Sequence, residues 1–306
     1  MTRTKKQKLA VSSFIALVIA QILWGINTPV IKLGLETVPL ALFLSVTILG
    51  AALLILLIAR RRWVPLKTSD YALLVTSSII SITLGNVALL MGIHRVPSIN
   101  ATLIGLFGPL LIFMLSVQFL KERLSVKTFI GILVAFVGAA VIVVEPSSAG
   151  GQQALIGNML LILAVLCDVV GTLICKPVLK RANTYQVTFI HLFAGILPVT
   201  VFSLQYLSVQ NLDNIGGRGF AAILYNTLAV AIANCLFMYG LKHRKAQDVG
   251  IFDYIHPIVT AIAAWFILNE VPDKKVAIGA ILIFGGVYVA EIMPNKRWAK
   301  RRQFKV

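Results

Sequence analysis

Ten apolar runs of membrane-spanning length constrain the fold of this chain more than any other feature of its sequence. Hydrophobic residues make up 58% of the sequence and charged residues only 13%. A helix of roughly 20 apolar residues crosses the hydrocarbon core of a bilayer, so we predict an all-α membrane protein with ten transmembrane helices embedded in a lipid bilayer. The predicted helices cover residues 10–31, 38–59, 71–93, 98–120, 128–144, 154–175, 185–207, 219–241, 249–269 and 276–293.

The basic residues lie in short segments between these runs, so the formal net charge of +17 does not indicate nucleic-acid binding. A nucleic-acid-binding protein would carry them on one soluble face. With the N-terminus placed in the cytoplasm, 23 of the 28 Lys and Arg residues fall on the cytoplasmic side, where membrane proteins concentrate positive charge. We therefore predict a multi-pass protein of the cell (cytoplasmic) membrane, with both termini cytoplasmic and the segment 208–218 outside.

A pattern of six residues occurs twice, at a constant offset of 148 positions. The first copy is Asn86, Gly92, Pro109, Glu122, Gly131 and Gly138, and the second is Asn234, Gly240, Pro257, Glu270, Gly279 and Gly286. This indicates a duplication, with a first five-helix repeat in residues 1–150 and a second in residues 151–306, which ends in a basic tail. Because five is odd, the second repeat enters the membrane from the opposite side, and this predicts two inverted-topology repeats around a central site.

Asp168 is the sharpest functional signal, because it lies well inside the sixth predicted helix. An ionised carboxylate in hydrocarbon is costly, so Asp168 is expected to face a wet cavity or a cationic partner, or to be protonated. We predict that it binds substrate and is the proton-coupling group. The alternative is a protonated Asp168 that hydrogen-bonds a neighbouring helix and has a structural role only. Lys176, near the end of the same helix, is expected to snorkel towards the membrane surface rather than to form an ion pair.

Five further residues are predicted to bind substrate. Asn86 and Asn234 are matched positions in the third and eighth helices, and the alternative for both is a hydrogen bond that joins two helices. Asp253 and His256 lie three positions apart beside Pro257 and therefore share a helix face. Trp24 in the first helix could stack on a substrate, although packing is the alternative for a lone aromatic residue.

His191 in the seventh helix is a weaker candidate for function, and a lone histidine there is more often a packing residue. The other polar and small residues are given structural roles. Gly131, Gly138, Gly279 and Gly286 suit close helix packing, either within the molecule or in a homodimer. Glu122 and Glu270 are interpreted as solvated helix ends. The HExxH, Walker A and GxSxG patterns are absent, so neither an enzyme nor an ATP-driven pump is indicated, and no metal or other cofactor is expected.

The two copies of the Pro, Glu, Gly, Gly pattern, together with Trp24-Gly25 and ten helices, resemble the EamA type of the drug/metabolite transporter superfamily. The resemblance covers residues 10–293. It implies a secondary transporter, often an exporter of amino acids or other metabolites, whose central cavity is lined by helices 1, 3, 4, 6, 8 and 9. This chain departs from the family pattern in two places. No charge follows Pro39 in helix 2, and Asp168 stands where a Trp is usual.

These observations predict a secondary transporter that exports a small metabolite, such as an amino acid or an amphipathic compound, by alternating access. Asp168 would exchange a proton against a cationic or zwitterionic substrate, and Asp253 with His256 would gate or tune the site. The alternative from another class is a non-transporting membrane scaffold or a lipid-handling, scramblase-like protein. Such a protein needs no convergent set of Asp, Asn and His residues inside the membrane.

Overall fold

The computed structural model describes residues 3–93, 95, 104–123, 125–143, 152–204, 215–269 and 274–292. Helices form nearly all of this part of the chain, which contains no strand. The α-helices are α1 Arg3–Gly34, α2 Leu40–Ala59, α3 Thr68–Ser78, α4 Asn86–Ile93, α5 Gly108–Phe119, α6 Val126–Val143, α7 Gln152–Leu179, α8 Thr184–Ser203, α9 Gly217–His243, α10 Ala246–Gly250, α11 Ile255–Leu268 and α12 Lys274–Val287.

Seven segments of the described residues are long and apolar enough to cross a membrane. They are Gln7–Gly34, Leu40–Arg62, Thr68–Leu89, Gln153–Leu179, Thr184–Val201, Gly217–His243 and Ala246–Leu268, and shorter apolar helices cover Gly108–Phe119 and Val126–Val141. The all-α membrane class predicted from the sequence is confirmed. The count of ten spans and the two-repeat division stay predictions. Glu270 and residues 208–214 of the predicted outside segment lie beyond the described residues.

Two of the spans change helix type partway along. A π-helical stretch, Ile79–Gly85, joins α3 to α4, and a 3-10 turn, Ile251–Tyr254, joins α10 to α11. Pro257 explains the second change, because it has no N–H with which to bond the Asp253 carbonyl four residues earlier. Such irregular turns are tolerated within a membrane only where protein or a water-filled cavity surrounds them.

Close glycine contacts join α6 to α12 inside the molecule. A Cβ atom built on Gly131 would lie 2.6 Å from the Gly286 carbonyl oxygen, and one built on Gly138 would lie 2.7 Å from the Gly279 carbonyl oxygen. Any larger side chain would therefore push the two helices apart. Because the earlier residue of α6 contacts the later residue of α12, the two helices run antiparallel.

A second pair of close approaches uses matched positions in the two halves. A Cβ atom on Gly92 of α4 would lie 2.8 Å from the Leu161 side chain of α7, and one on Gly240 of α9 would lie 2.5 Å from the Leu17 side chain of α1. Helix α1 thus packs against α9 through the same residue types that join α7 to α4.

The apolar core lies between these central helices and contains Leu17, Val178, Leu241 and Ile258. On the outer surface, large apolar side chains are open, among them Phe266 at 74% and Ile281 at 73% exposure. This arrangement, apolar inside and outside, is that of a protein surrounded by lipid rather than by water.

Candidate functional site

Two carboxylates inside apolar spans lie within electrostatic range of each other. Asp168 lies in the second half of α7, and Asp253 lies in the 3-10 turn before α11. The negative charge of Asp168 acts on Asp253. Two groups of the same negative charge in one part of a protein favour the approach of a cation.

The Asp168 side chain is accessible although protein surrounds it. Its side chain is exposed, although protein atoms surround the carboxylate closely enough to desolvate it. Within the described part of the chain, no hydrogen bond or ion pair engages its carboxylate.

Asp253 accepts a hydrogen bond from Gln21, a residue that the sequence pattern does not single out. The Gln21 side-chain amide of α1 donates a hydrogen bond to Asp253 Oδ1, with an N–O distance of 2.5 Å. Gln21 is almost fully buried, and buried amides require such partners. The sequence indicates Gln21 only as a polar residue inside an apolar run, one turn before Trp24.

His256 and Trp24 lie beside this contact. The His256 Nε2 atom lies 3.3 Å from the Thr28 hydroxyl of α1, and the Trp24 ring packs against Phe237 of α9, with ring centroids 5.4 Å apart. A Cβ atom on Gly25 would lie 2.6 Å from the Val259 side chain, so α1 and α11 pack closely here. The structure thus brings Trp24, Asp253 and His256 together along α1.

Asn86 and Asn234 behave alike, but they do not join this cluster. The Asn86 side-chain amide donates to the Ile82 carbonyl oxygen at 2.6 Å, and that of Asn234 donates to the Val230 carbonyl oxygen at 2.9 Å. Both acceptors lie one turn earlier in the same chain segment. Among the described residues neither side chain hydrogen-bonds to another helix, so the alternative of a bond joining two helices is not what the structure shows. Their role in substrate binding stays a prediction.

A buried ion pair at one end of the bundle corrects two predictions. Lys176 Nζ lies 3.1 Å from Glu122 Oε1, and the two side chains are only 5% and 11% exposed. Lys176 Nζ also donates to the Arg244 carbonyl oxygen at 2.7 Å. The snorkelling prediction for Lys176 and the solvated-end prediction for Glu122 are therefore wrong. Burial of both groups is tolerated because each satisfies the charge of the other.

Glu122 also accepts hydrogen bonds from the start of α10. The backbone N–H groups of Ala246 and Gln247 donate to its two carboxylate oxygens at 3.0 and 3.4 Å. The first N–H groups of a helix have no partner within the helix, and a carboxylate satisfies them. Glu122 thus ties the segment after α5 to both α7 and α10.

Arg244 extends this network to the first helix. Its Nε donates to the Ser13 hydroxyl at 3.0 Å, and its Nη2 donates to the Ala10 carbonyl oxygen at 3.0 Å. Its guanidinium also lies over the rings of Phe14 and Phe252, 5.8 and 5.6 Å from their centroids. Together with Glu122 and Lys176, Arg244 closes the bundle at the end that the charge distribution assigns to the cytoplasm.

His191 has the environment of a packing residue. Its Nδ1 lies 3.3 Å from the Ser77 hydroxyl, and its Nε2 lies 3.2 Å from the Ser81 hydroxyl. Because both ring nitrogens are engaged by serines, His191 joins α8 to the third span. No group of three His, Cys, Asp or Glu residues that could hold a metal ion occurs in the described ranges.

Comparison with known proteins gives one family along most of the chain. The EamA-like transporter family matches residues 11–144 and again residues 155–291. The uncharacterized transporter YetK of Bacillus subtilis is 30% identical over 299 residues, which cover 93% of this chain and 88% of YetK. A protein of Salmonella typhimurium named as a probable amino-acid metabolite efflux pump is 25% identical, and the match covers 90% of this chain and 93% of that protein.

A solved crystal structure has the same fold. It superposes with a TM-score of 0.76 over 92% of this chain and 97% of the other chain, at 18% sequence identity.

Proposed function

Because the chain belongs to the EamA-like transporter family, we propose that it is a secondary transporter that exports a small cationic or zwitterionic metabolite. An amino acid or an amphipathic amine has the required chemistry. We further propose that transport proceeds by alternating access, in exchange for a proton carried on Asp168. The protein itself is a multi-pass membrane protein of a family of transporters.

One observation carries the proposal for the substrate class: Asp168 and Asp253 lie within electrostatic range of each other, and no basic side chain pairs with either carboxylate within the described residues. An ionised Asp at the centre of a membrane helix costs roughly 2.5–3.5 kcal/mol on insertion scales. A bound cation or a bound proton removes this cost. Binding of the two therefore becomes mutually exclusive, which is what an exchanger requires.

The hydrogen bond from Gln21 distinguishes the two acidic residues, because it engages only Asp253. Asp253 already accepts a hydrogen bond from Gln21. This bond orients the carboxylate and satisfies part of its hydrogen-bonding capacity. Asp168 has no such donor and is the more available of the two. We therefore assign both the exchanged proton and the cationic group of the substrate to Asp168, where they compete. Asp253 tunes the site, and Trp24 forms an apolar wall.

The contacts of Glu122, Lys176 and Arg244 support alternating access. They join neighbouring segments at one end of the bundle, so we expect them to be released before substrate enters from that end. The antiparallel glycine contact of α6 with α12 supports two matched halves that rock against each other.

A ligand screen with a paired variant tests the proposal. A ligand that binds the folded state raises its apparent stability, so amino acids and amines are screened for a rise in the unfolding temperature of the purified protein. The proposal expects cationic or zwitterionic ligands to stabilise the wild type and to lose this effect in Asp168→Asn. In Glu36→Gln, which changes an exposed carboxylate, the effect is expected to remain.

Ligands that stabilise Asp168→Asn as strongly as the wild type would overturn the role of Asp168. A response confined to anionic metabolites would overturn the substrate class. Lipid exchange between leaflets without any metabolite flux would favour the scramblase-like alternative.

A further inference from the structure

A cavity whose lining includes neither Asp168 nor Asp253 lies at the end of the bundle that the charge distribution assigns to the cytoplasm. It has a volume of about 640 Å³ and is formed by the first part of α1, the start of α8 and the last turns of α9. Its wall is apolar along Ile15, Ala16, Ile19 and Leu236, and its rim carries Arg62, Lys242 and His243. We call this cavity the basic groove.

The basic groove opens on the outer side of the bundle. Ile15 and Trp24 are nine positions apart on α1, which is about two and a half turns, so they lie on opposite faces of the helix. Trp24 faces α9, where it contacts Phe237, whereas Ile15 and Ile19 are 50% and 40% exposed. Apolar side chains that remain open on an outer face of a membrane protein contact lipid. The basic groove is therefore separate from the proposed transport site.

The charges on the rim of the basic groove favour binding of an anion. Among the residues that line it, three are basic and none is acidic. Lys242 Nζ donates to the Ala182 carbonyl oxygen at 2.7 Å, which fixes its position and leaves two of its three donors for a ligand. The Arg62 guanidinium lies over the Tyr185 ring, 5.8 Å from its centroid, and this contact leaves the edge of the guanidinium free to bond a phosphate.

Polar groups further along the groove continue this lining. The Tyr239 and Ser12 hydroxyls form a hydrogen bond of 2.9 Å, and the Tyr239 ring packs edge-on against His243, with centroids 4.6 Å apart. The groove thus passes from charged to hydroxyl-bearing to apolar residues. A phospholipid has the same order from its headgroup to its glycerol esters and acyl chains.

We propose that the basic groove binds an anionic glycerophospholipid of the cytoplasmic leaflet. Arg62 and Lys242 bond its phosphate, and one acyl chain lies along Ile15, Ile19 and Leu236. Basic pockets between membrane helices on the cytoplasmic side recognise anionic headgroups in this way. Free phosphate presents the same charge, but it leaves the apolar wall uncovered and is expected to bind weakly.

Native mass spectrometry of the purified full chain in detergent tests the proposal. The protein is titrated with phosphatidylglycerol, with phosphatidylcholine of the same acyl chains, and with inorganic phosphate. Each rim charge near an anionic lipid changes affinity about fivefold, so Arg62→Gln and Lys242→Gln are each expected to weaken phosphatidylglycerol binding about fivefold. The double variant is expected to weaken it about 25-fold.

The matched control is the double variant Arg60→Gln and Arg61→Gln, which removes two exposed charges outside the lining. It is expected to keep wild-type binding. Unchanged phosphatidylcholine binding in all variants shows that they are folded. Equal retention of the two lipids by the wild type, an equal loss in the control, or displacement of phosphatidylglycerol by millimolar phosphate would each overturn the proposal.

Discussion

Glu122 and Asp168 are both acidic residues within an apolar bundle, but their surroundings differ. Glu122 is paired with Lys176 at 3.1 Å and accepts two backbone hydrogen bonds. Asp168 is accessible and, among the residues that the structure describes, has no hydrogen-bond or ionic partner. A carboxylate whose partners are built into the fold stabilises one conformation. A carboxylate without built-in partners is available to a ligand, and it adds little to the stability of the fold.

The largest effect on stability is therefore expected at the ion pair of Lys176 with Glu122. Lys176→Met keeps the length and apolar character of the side chain, but it leaves Glu122 buried without its cation. Removing one partner of a buried ion pair lowers the free energy of unfolding by about 3–5 kcal/mol. A fall in the unfolding midpoint of the protein in detergent measures this loss. The double variant Lys176→Met with Glu122→Gln removes both charges and is expected to recover part of this loss. Equal stability of Lys176→Met and the wild type would show that the pair contributes nothing.

A smaller effect is expected at Gln21. Gln21→Leu removes the donor to Asp253, and a buried acceptor left without its partner costs about 1–3 kcal/mol. The control is Gln7→Leu at an exposed position of the same helix, which should leave the unfolding midpoint unchanged. A loss in the control as large as that in Gln21→Leu would indicate a general effect of apolar substitution in α1, rather than loss of the Asp253 contact.

Asn86→Ala and Asn234→Ala sharpen the comparison, because each removes an amide that bonds a carbonyl one turn earlier. One such hydrogen bond contributes about 0.5–1.5 kcal/mol. The free energy of unfolding should fall by a similar amount in the two variants, as measured by denaturation of each beside the wild type. A loss of about 3 kcal/mol or more in either one would reveal a partner outside its own helix.

Residue pattern alone predicted the membrane class and the family, because apolar length and glycine spacing are local properties of the sequence. The close glycine contacts between α6 and α12 follow from small residues at regular spacing, and the packing interpretation of His191 agrees with its bonds to Ser77 and Ser81.

The partners of charged groups could not be read in the same way. Lys176 and Glu122 are 54 positions apart, so nothing local shows that they meet, and a charge near a helix end has the same sequence signature whether it is solvated or paired. Gln21 was missed for the same reason. Its importance comes from Asp253, 232 positions away, rather than from its neighbours on α1.

The smallest change in stability and the largest change in function are both expected at Asp168. Asp168→Asn keeps the volume and the hydrogen-bonding capacity of the side chain but removes its charge and its titration. The carboxylate makes no hydrogen bond or ion pair in the described structure. The free energy of unfolding should therefore fall by no more than about 1 kcal/mol.

The decisive measurement is flux of an identified substrate driven by a proton gradient in proteoliposomes, with Asp168→Asn beside the wild type and Glu36→Gln. We predict that Asp168→Asn abolishes gradient-driven flux, while Glu36→Gln transports like the wild type. Undiminished gradient-driven flux in Asp168→Asn would contradict this prediction and would show that Asp168 does not carry the exchanged proton.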